Sequence, residues 1–163
     1  MIPEAELIER EIVLRQLKLP PDVKMARSSL LRWFSLSLGL ISPDETRQTA
    51  FLVLDAFLHS TFTVKRPPTT LELKEICDRN RIGITGSKGS LNVSEKLIRY
   101  HMGKLIELGL VERKSNRYYL VKPSFSTPTD YPALFEEIFK KKAEESVSRS
   151  SKAFQELVKA YSY

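Results

Sequence analysis

The sequence is poor in the residues that build most catalytic and metal sites. It has one cysteine, Cys77, and two histidines, His59 and His101, in 163 residues. A single cysteine excludes an intrachain disulfide and suits a reducing, cytoplasmic setting, which is the expected location. No C-x-x-C, H-E-x-x-H or G-x-S-x-G spacing occurs. The stretch GITGSKGS, residues 83–90, lacks the glycine-to-lysine spacing of a phosphate-binding loop. The carboxylates show no clustering suited to metal-dependent nuclease chemistry. No metal or cofactor is therefore expected, and the chain is not expected to be an enzyme. Long apolar runs are missing too. The best candidate, around residues 30–41, is interrupted by Arg32, Ser35, Ser37 and Gly39, so no membrane span is expected. The opening MIPEAELIEREI is acidic and lacks the basic region and apolar core of a signal peptide.

Charge of one sign is plentiful, but only in one place. The net charge is +6 and the pI is near 9.4. Residues 63–122 hold 13 Lys/Arg against 6 Asp/Glu, a net +7, and the remainder is close to neutral at −1. A local field of that sign favours a polyanion, with nucleic acid the commonest partner, although a solvated basic face has the same composition.

Periodicity organises the chain into helices around a small hairpin. Residues 4–19 carry Leu7, Ile8, Ile12, Leu14 and Leu17 with charges between them, the spacing of an amphipathic helix stopped by Pro20-Pro21. Residues 26–38 form a second helix, apolar on more than one side and hence buried or shared with another subunit, with Gly39 as its stop. Ser42-Pro43-Asp44-Glu45 starts a third with a serine cap and a capping box, ending near Phe62. Thr69-Thr70-Leu71-Glu72 is another capping box, opening a short helix to about Asn80 with Leu73, Ile76 and Cys77 inward. A glycine-containing connection follows, over residues 78–91. Asn92, with Glu95 three residues on, caps the next helix, which runs to Leu108 and stops at Gly109. Residues 110–113 and 117–121 read as strands joined by a turn at residues 114–116. Beyond the linker at Pro123, Leu134, Phe135, Ile138 and Phe139 make one helical stripe. Phe154, Leu157, Val158 and Tyr161 make a second, separated from it by a polar stretch that is expected to bend or fray.

The helix ending at Leu108 has two opposed faces, the requirement for reading a groove. Ile98, Met102, Leu105 and Ile106 share the apolar face. Lys96, Arg99, Tyr100, Gly103 and Lys104 share the outer face, described by this spacing as free of carboxylates. Leu97 does not fit that polar face. Gly103 would let another backbone approach closely, either of DNA or of a packed helix. In the hairpin, Arg113, Lys114, Asn116 and Arg117 cluster at the tip and flanks, where cations suit either phosphate contact or a hydrated turn. At least one of Tyr118 and Tyr119 should be core. His101 is expected as a partly buried structural histidine and Cys77 as a small core residue.

The order helix, short helix, connection, helix, strand, turn, strand over residues 69–121 resembles the winged helix-turn-helix superfamily. IRYHMGKLIELGLVERKSNRYYLV is similar to the arsenical-resistance-repressor (ArsR-like) branch. The similarity rests on His101-Met102, Leu105, Gly109-Leu110-Val111 and Tyr118-Tyr119-Leu120 and covers about a third of the chain. Two features depart from that branch: the long 78–91 connection, and the lack of any counterpart to its metal-sensing cysteines, so metal sensing is not carried over.

The resulting expectation is a mainly α protein with a small β-hairpin, a winged helix-turn-helix with extra N- and C-terminal helices. Residues 1–41 form an N-terminal helical extension, 42–122 the DNA-binding domain and 123–163 a C-terminal helical extension. The resemblance implies sequence-specific binding to double-stranded DNA by a transcriptional regulator, dimeric through its flanking helices. Lys96, Arg99, Tyr100 and Lys104 would face the major groove. Arg113, Lys114, Asn116 and Arg117 would serve the wing, and Lys88 would touch backbone from the connection. The alternative is a winged-helix protein-interaction module within a larger assembly. RNA binding is weaker, since no stacking array of aromatics accompanies the charges.

Overall fold

The computed structural model describes residues 1–44, 49–85 and 92–162, with residues 80–85 described as backbone only. It is mainly helical with one small antiparallel hairpin. The chain divides into two compact units, Met1–Leu120 and Val121–Tyr163.

The first unit is built around α3, Thr49–Leu58, in which every residue from Thr49 to Phe57 is buried. A helix apolar all round needs neighbours on all sides. Here α2 (Arg27–Ser37), α4 (Thr70–Thr85) and α5 (Glu95–Leu108) supply them. Phe51, Leu52, Val53, Ala56 and Phe57 meet Leu73 and Cys77 of α4 and Ile98, Met102 and Leu105 of α5 in the core. After Leu58 the helix widens into one π-helical segment, His59–Val64, and Lys65 closes it in the left-handed conformation.

The capping box that opens α4 forms as its sequence demands. Thr69 N–H donates to Glu72 Oε2 at 2.9 Å, and Glu72 N–H donates to Thr69 Oγ1 at 3.2 Å. The helix does not stop near Asn80 but continues to Thr85. Nothing from Asn80 to Thr85 forbids helix: there is no proline, and a single glycine costs only about 1 kcal/mol. The rest of the expected connection, with Lys88, lies outside the described residues, as does Glu45 of the capping box expected at Ser42.

The cap of α5 is Ser94, not Asn92. Its hydroxyl accepts from Leu97 N–H at 3.2 Å. Val93 just before the cap and Ile98 in the first turn are both fully buried, the placement of a hydrophobic staple that fixes where the helix enters. Gly109, at φ 86°, ends it, and Leu110 N–H returns to Leu105 O at 3.1 Å. That bond takes Leu110 out of the sheet, so β1 begins one residue later than expected, at Val111–Lys114, and pairs with β2, Arg117–Leu120. Lys114 belongs to the strand because the turn needs only Ser115 and Asn116, at φ 48° and 64°. Two successive positive φ values give the turn whose twist matches a hairpin. On its other edge β2 meets the chain before α4, where Tyr118 N–H donates to Pro68 O at 2.9 Å and Thr69 bridges Arg117.

Residues 4–19 contradict their periodicity. Only Pro3–Leu7 coils, as a short 3-10 turn, and the chain from Ile8 to Pro20 contains no helix before the single-turn α1, Pro21–Lys24. Its side chains explain why. Arg15 Nη1 donates to Leu36 O and Ile41 O at 2.6 and 3.0 Å, and Arg15 N–H donates to Ser37 O at 2.8 Å. Trp33 Nε1 donates to Lys18 O at 2.7 Å. An open strap can deliver the Arg15 donors to carbonyls at and just beyond the end of α2, and its own Lys18 carbonyl to Trp33. A short isolated helix over the same residues would have little intrinsic stability to offset their loss.

In the second unit, Asp130 caps α6, Tyr131–Phe135, by accepting from Ala133 N–H at 3.1 Å. The Ser126 hydroxyl and then this N–H hold its carboxyl below the usual carboxylate range. A π segment, Glu136–Lys140, leads into α7, Lys141–Tyr161. Leu134, Ile138 and Phe139 are buried, and Phe135 stacks on Phe139 at 5.7 Å. The bend expected between the two stripes is absent: α7 is continuous, and no proline interrupts it.

Candidate nucleic-acid interface

Burial of Ile98, Met102 and Leu105 fixes the rotation of α5 and turns its other face to solvent. Lys96 is exposed there, without an ion-pair partner among the described residues. Arg99 is half exposed and bonded to Glu95, Nη2 to Oε2 at 2.6 Å. Tyr100 is 56% exposed, with Lys104 Nζ 4.7 Å from its ring centre, a cation–π contact that aligns the two side chains along the helix. A Cβ built on Gly103 would meet nothing within 4 Å, so no part of the described chain packs against it. Glu107 is exposed one turn beyond Lys104 on this face, which corrects the reading of the face as free of carboxylates.

The hairpin places its polar groups unequally. Arg113 is exposed, bonded through Nη2 to Asn116 Oδ1 at 3.2 Å and lying 5.6 Å from the Tyr118 ring centre. Lys114 is exposed and pairs with Glu112 at 2.8 Å. Arg117 points inward. Its Nη1 donates to Pro67 O at 2.7 Å and to Glu72 Oε2 at 3.0 Å, fastening β2 to the start of α4. Tyr118 is the core tyrosine, fully buried, with its hydroxyl 3.1 Å from Thr70 Oγ1. Thus Lys96, Arg99, Tyr100 and Lys104 are together on one helix face, and Arg113, Lys114 and Asn116 are together at the hairpin, whereas Arg117 is tied into the scaffold.

Glu72 was read only as a capping residue, yet it gathers Thr69, Arg66 and Arg117. The Thr69 N–H, opposed by partial burial and aided by Arg117 and Arg66, holds its carboxyl below the ordinary value. The capping spacing was visible in sequence, but the two arginines arrive from 6 residues before and 45 after. His101 Nε2 lies 3.2 Å from Thr49 Oγ1, the structural role expected of it. Cys77 is buried, its thiol pushed up to about 12 by that burial first, with Asp78 and Asp55 adding to it, so it is a poor nucleophile.

Among the described residues no three His, Cys, Asp or Glu side chains converge as metal ligands, and no helix is long and apolar enough to cross a membrane. Comparison with protein-family models, with characterised proteins and with solved structures found no match.

Proposed function

We propose that residues 49–120 form a winged helix-turn-helix that binds double-stranded DNA, with α5 in the major groove and the β1–β2 hairpin as the wing, and that the protein is a transcriptional regulator. The observation that carries this reading is the solvent face of α5: Lys96, Arg99, Tyr100 and Lys104 on a helix whose opposite face is locked in the core. The pairing of β2 with the chain at Pro68 and Thr69 supports it, because it ties the hairpin to the start of α4 as a wing requires. The Arg99–Glu95 pair is no obstacle. An exposed i,i+4 ion pair is worth roughly 0.3–0.5 kcal/mol, whereas a bidentate arginine–guanine contact gives about 1–3 kcal/mol of discrimination.

The test is fluorescence anisotropy on random duplexes over a salt series, for the wild type and for Lys96→Ala combined with Arg99→Ala. Salt-sensitive binding that the double variant loses is the expected result. Wild-type binding by that variant would remove this face, and no binding at low salt would sink the DNA reading. Selected sites should then show Arg99→Ala relaxing base preference and Lys114→Ala weakening all sequences alike.

A further inference from the structure

We infer that the cleft between the π-helical segment after α3 and the adjoining face of α4 is a binding site for a small organic monocarboxylate, with its acid group on Arg79 and Arg66 and its apolar body on Val64 and Ile76. This goes beyond the DNA-binding reading and does not depend on it.

Two local periods build the cleft. Glu72, Glu75, Ile76 and Arg79 lie at i, i+3, i+4 and i+7 of α4, which puts them on one helix face. Across from them, the widened segment His59–Val64 pairs i with i+5, so its first and last residues come to one side, where an α-helix would set them about 140° apart. Two bonds close this segment. Ser60 Oγ donates to Arg66 O at 2.7 Å, and Arg66 N–H donates to Ser60 O at 3.0 Å. They fix the backbone of Arg66 while its side chain stays 61% exposed. The cleft measures about 420 Å³, within the range of small-molecule sites.

The polar groups and their partners select the ligand. His59 is half-buried, and its ring bonds no described residue. Arg79 is exposed, and its Nε donates to Glu75 O at 3.3 Å, which leaves its Nη groups without a partner among the described residues. Arg66 holds Glu72 through one contact, Nη2 to Oε1 at 3.0 Å. Glu72 does not depend on it, because the Thr69 N–H and Arg117 both occupy Oε2. Arg66 can therefore turn to a ligand and leave that carboxylate paired. Arg66, Arg79 and Arg117 against Glu72 and Glu75 leave a surplus of one positive charge, which suits a monoanion better than a phosphate dianion. Guanidinium groups match a planar carboxylate in shape as well as charge. Val64, 55% exposed, and Ile76, half-buried, offer apolar contact that an inorganic anion cannot use. A nucleic-acid backbone fits less well for the same reason, since it brings charge to the cleft and no apolar body.

The experiment is an amide-resolved NMR titration of the full chain, without DNA, using hexanoate, benzoate and phenylacetate, with the corresponding carboxamides and inorganic phosphate as controls. At least one acid should shift the backbone N–H signals of residues 59–66 and 72–79 saturably. Its carboxamide should not, and phosphate should bind more weakly. Arg79→Gln, at an exposed position, should keep the wild-type melting temperature and weaken binding by about tenfold. Glu75→Gln should bind at least as tightly as wild type, since it removes a repelling charge. The inference is overturned when no acid shifts these signals, or when acid and carboxamide bind alike. Phosphate binding more tightly than every acid would also overturn it, as would an affinity that Arg79→Gln leaves unchanged.

Discussion

At the residue scale, Glu72 sits where three segments meet: the cap of α4, Arg66 before it and Arg117 of β2. Glu72→Gln keeps an acceptor for the cap and removes the charge that both arginines face. The variant should lose about 1 kcal/mol at neutral pH, small because both ion pairs are partly solvated. A carboxyl held below its unfolded value of 4.5 stabilises the fold fully above that pH and loses the contribution as pH falls through its folded pKa. Urea unfolding should therefore show the gap between variant and wild type closing below pH 4.5. A gap that stays constant in acid would mean the charge is not what matters. Gly103 offers a sharper separation of fold from function. Gly103→Ala should raise stability by about 1 kcal/mol, since the added methyl meets only open space. The same substitution should weaken DNA binding if a phosphate backbone lies against that position, so thermal melting and anisotropy should move in opposite directions.

At the scale of elements, the local signals that proved legible were those satisfied within a few residues. The capping box at Thr69 and Glu72, the glycine stop at Gly109 and the hairpin about Ser115 and Asn116 all answer to neighbours. The buried stripe of Ile98, Met102 and Leu105 was readable as well, because a 3.6-residue period decides which side chains are buried, but Ile106, expected on that stripe, is exposed at its edge and Glu107 joins the outer face. The strap over residues 8–20 was not, because its conformation is set by carbonyls 21 and 26 residues away. Its scattered leucines fit a helix on paper and serve an open chain in space. The inward turn of Arg117 was hidden for the same reason, its partners being Pro67 and Glu72. Gly39 tests the strap directly. It has φ 68°, and a Cβ there would lie 2.8 Å from Val13 Cβ. Gly39→Ala should cost more than the roughly 1 kcal/mol of an unfavourable φ alone and should loosen the strap. Hydrogen exchange at the Arg15 amide should accelerate more than at amides within α3. Unchanged protection at Arg15 would show that the strap does not rest on Gly39.

At the scale of the molecule, the basic excess of residues 63–122 is divided between structure and surface. Arg66, Lys74, Arg99, Lys114 and Arg117 each pair with a carboxylate, so the count of 13 Lys/Arg overstates the cations free to meet a polyanion, while the net +7 already includes their partners. Each phosphate neutralised contributes about −0.9 to the slope of log affinity against log salt. Lys114→Ala should therefore flatten that slope by about one, and an unchanged slope would mean that the hairpin makes no phosphate contact. The buried thiol of Cys77 has a use that concerns neither binding nor catalysis. It is 1% exposed, donates to Leu52 O across the α3–α4 contact, and is the chain's single cysteine. A thiol reagent can reach it only when those helices part. With ordinary domain stabilities of about 5–15 kcal/mol, such openings are rare, and the labelling rate becomes a clock for core breathing, readable without denaturant in any variant that retains Cys77.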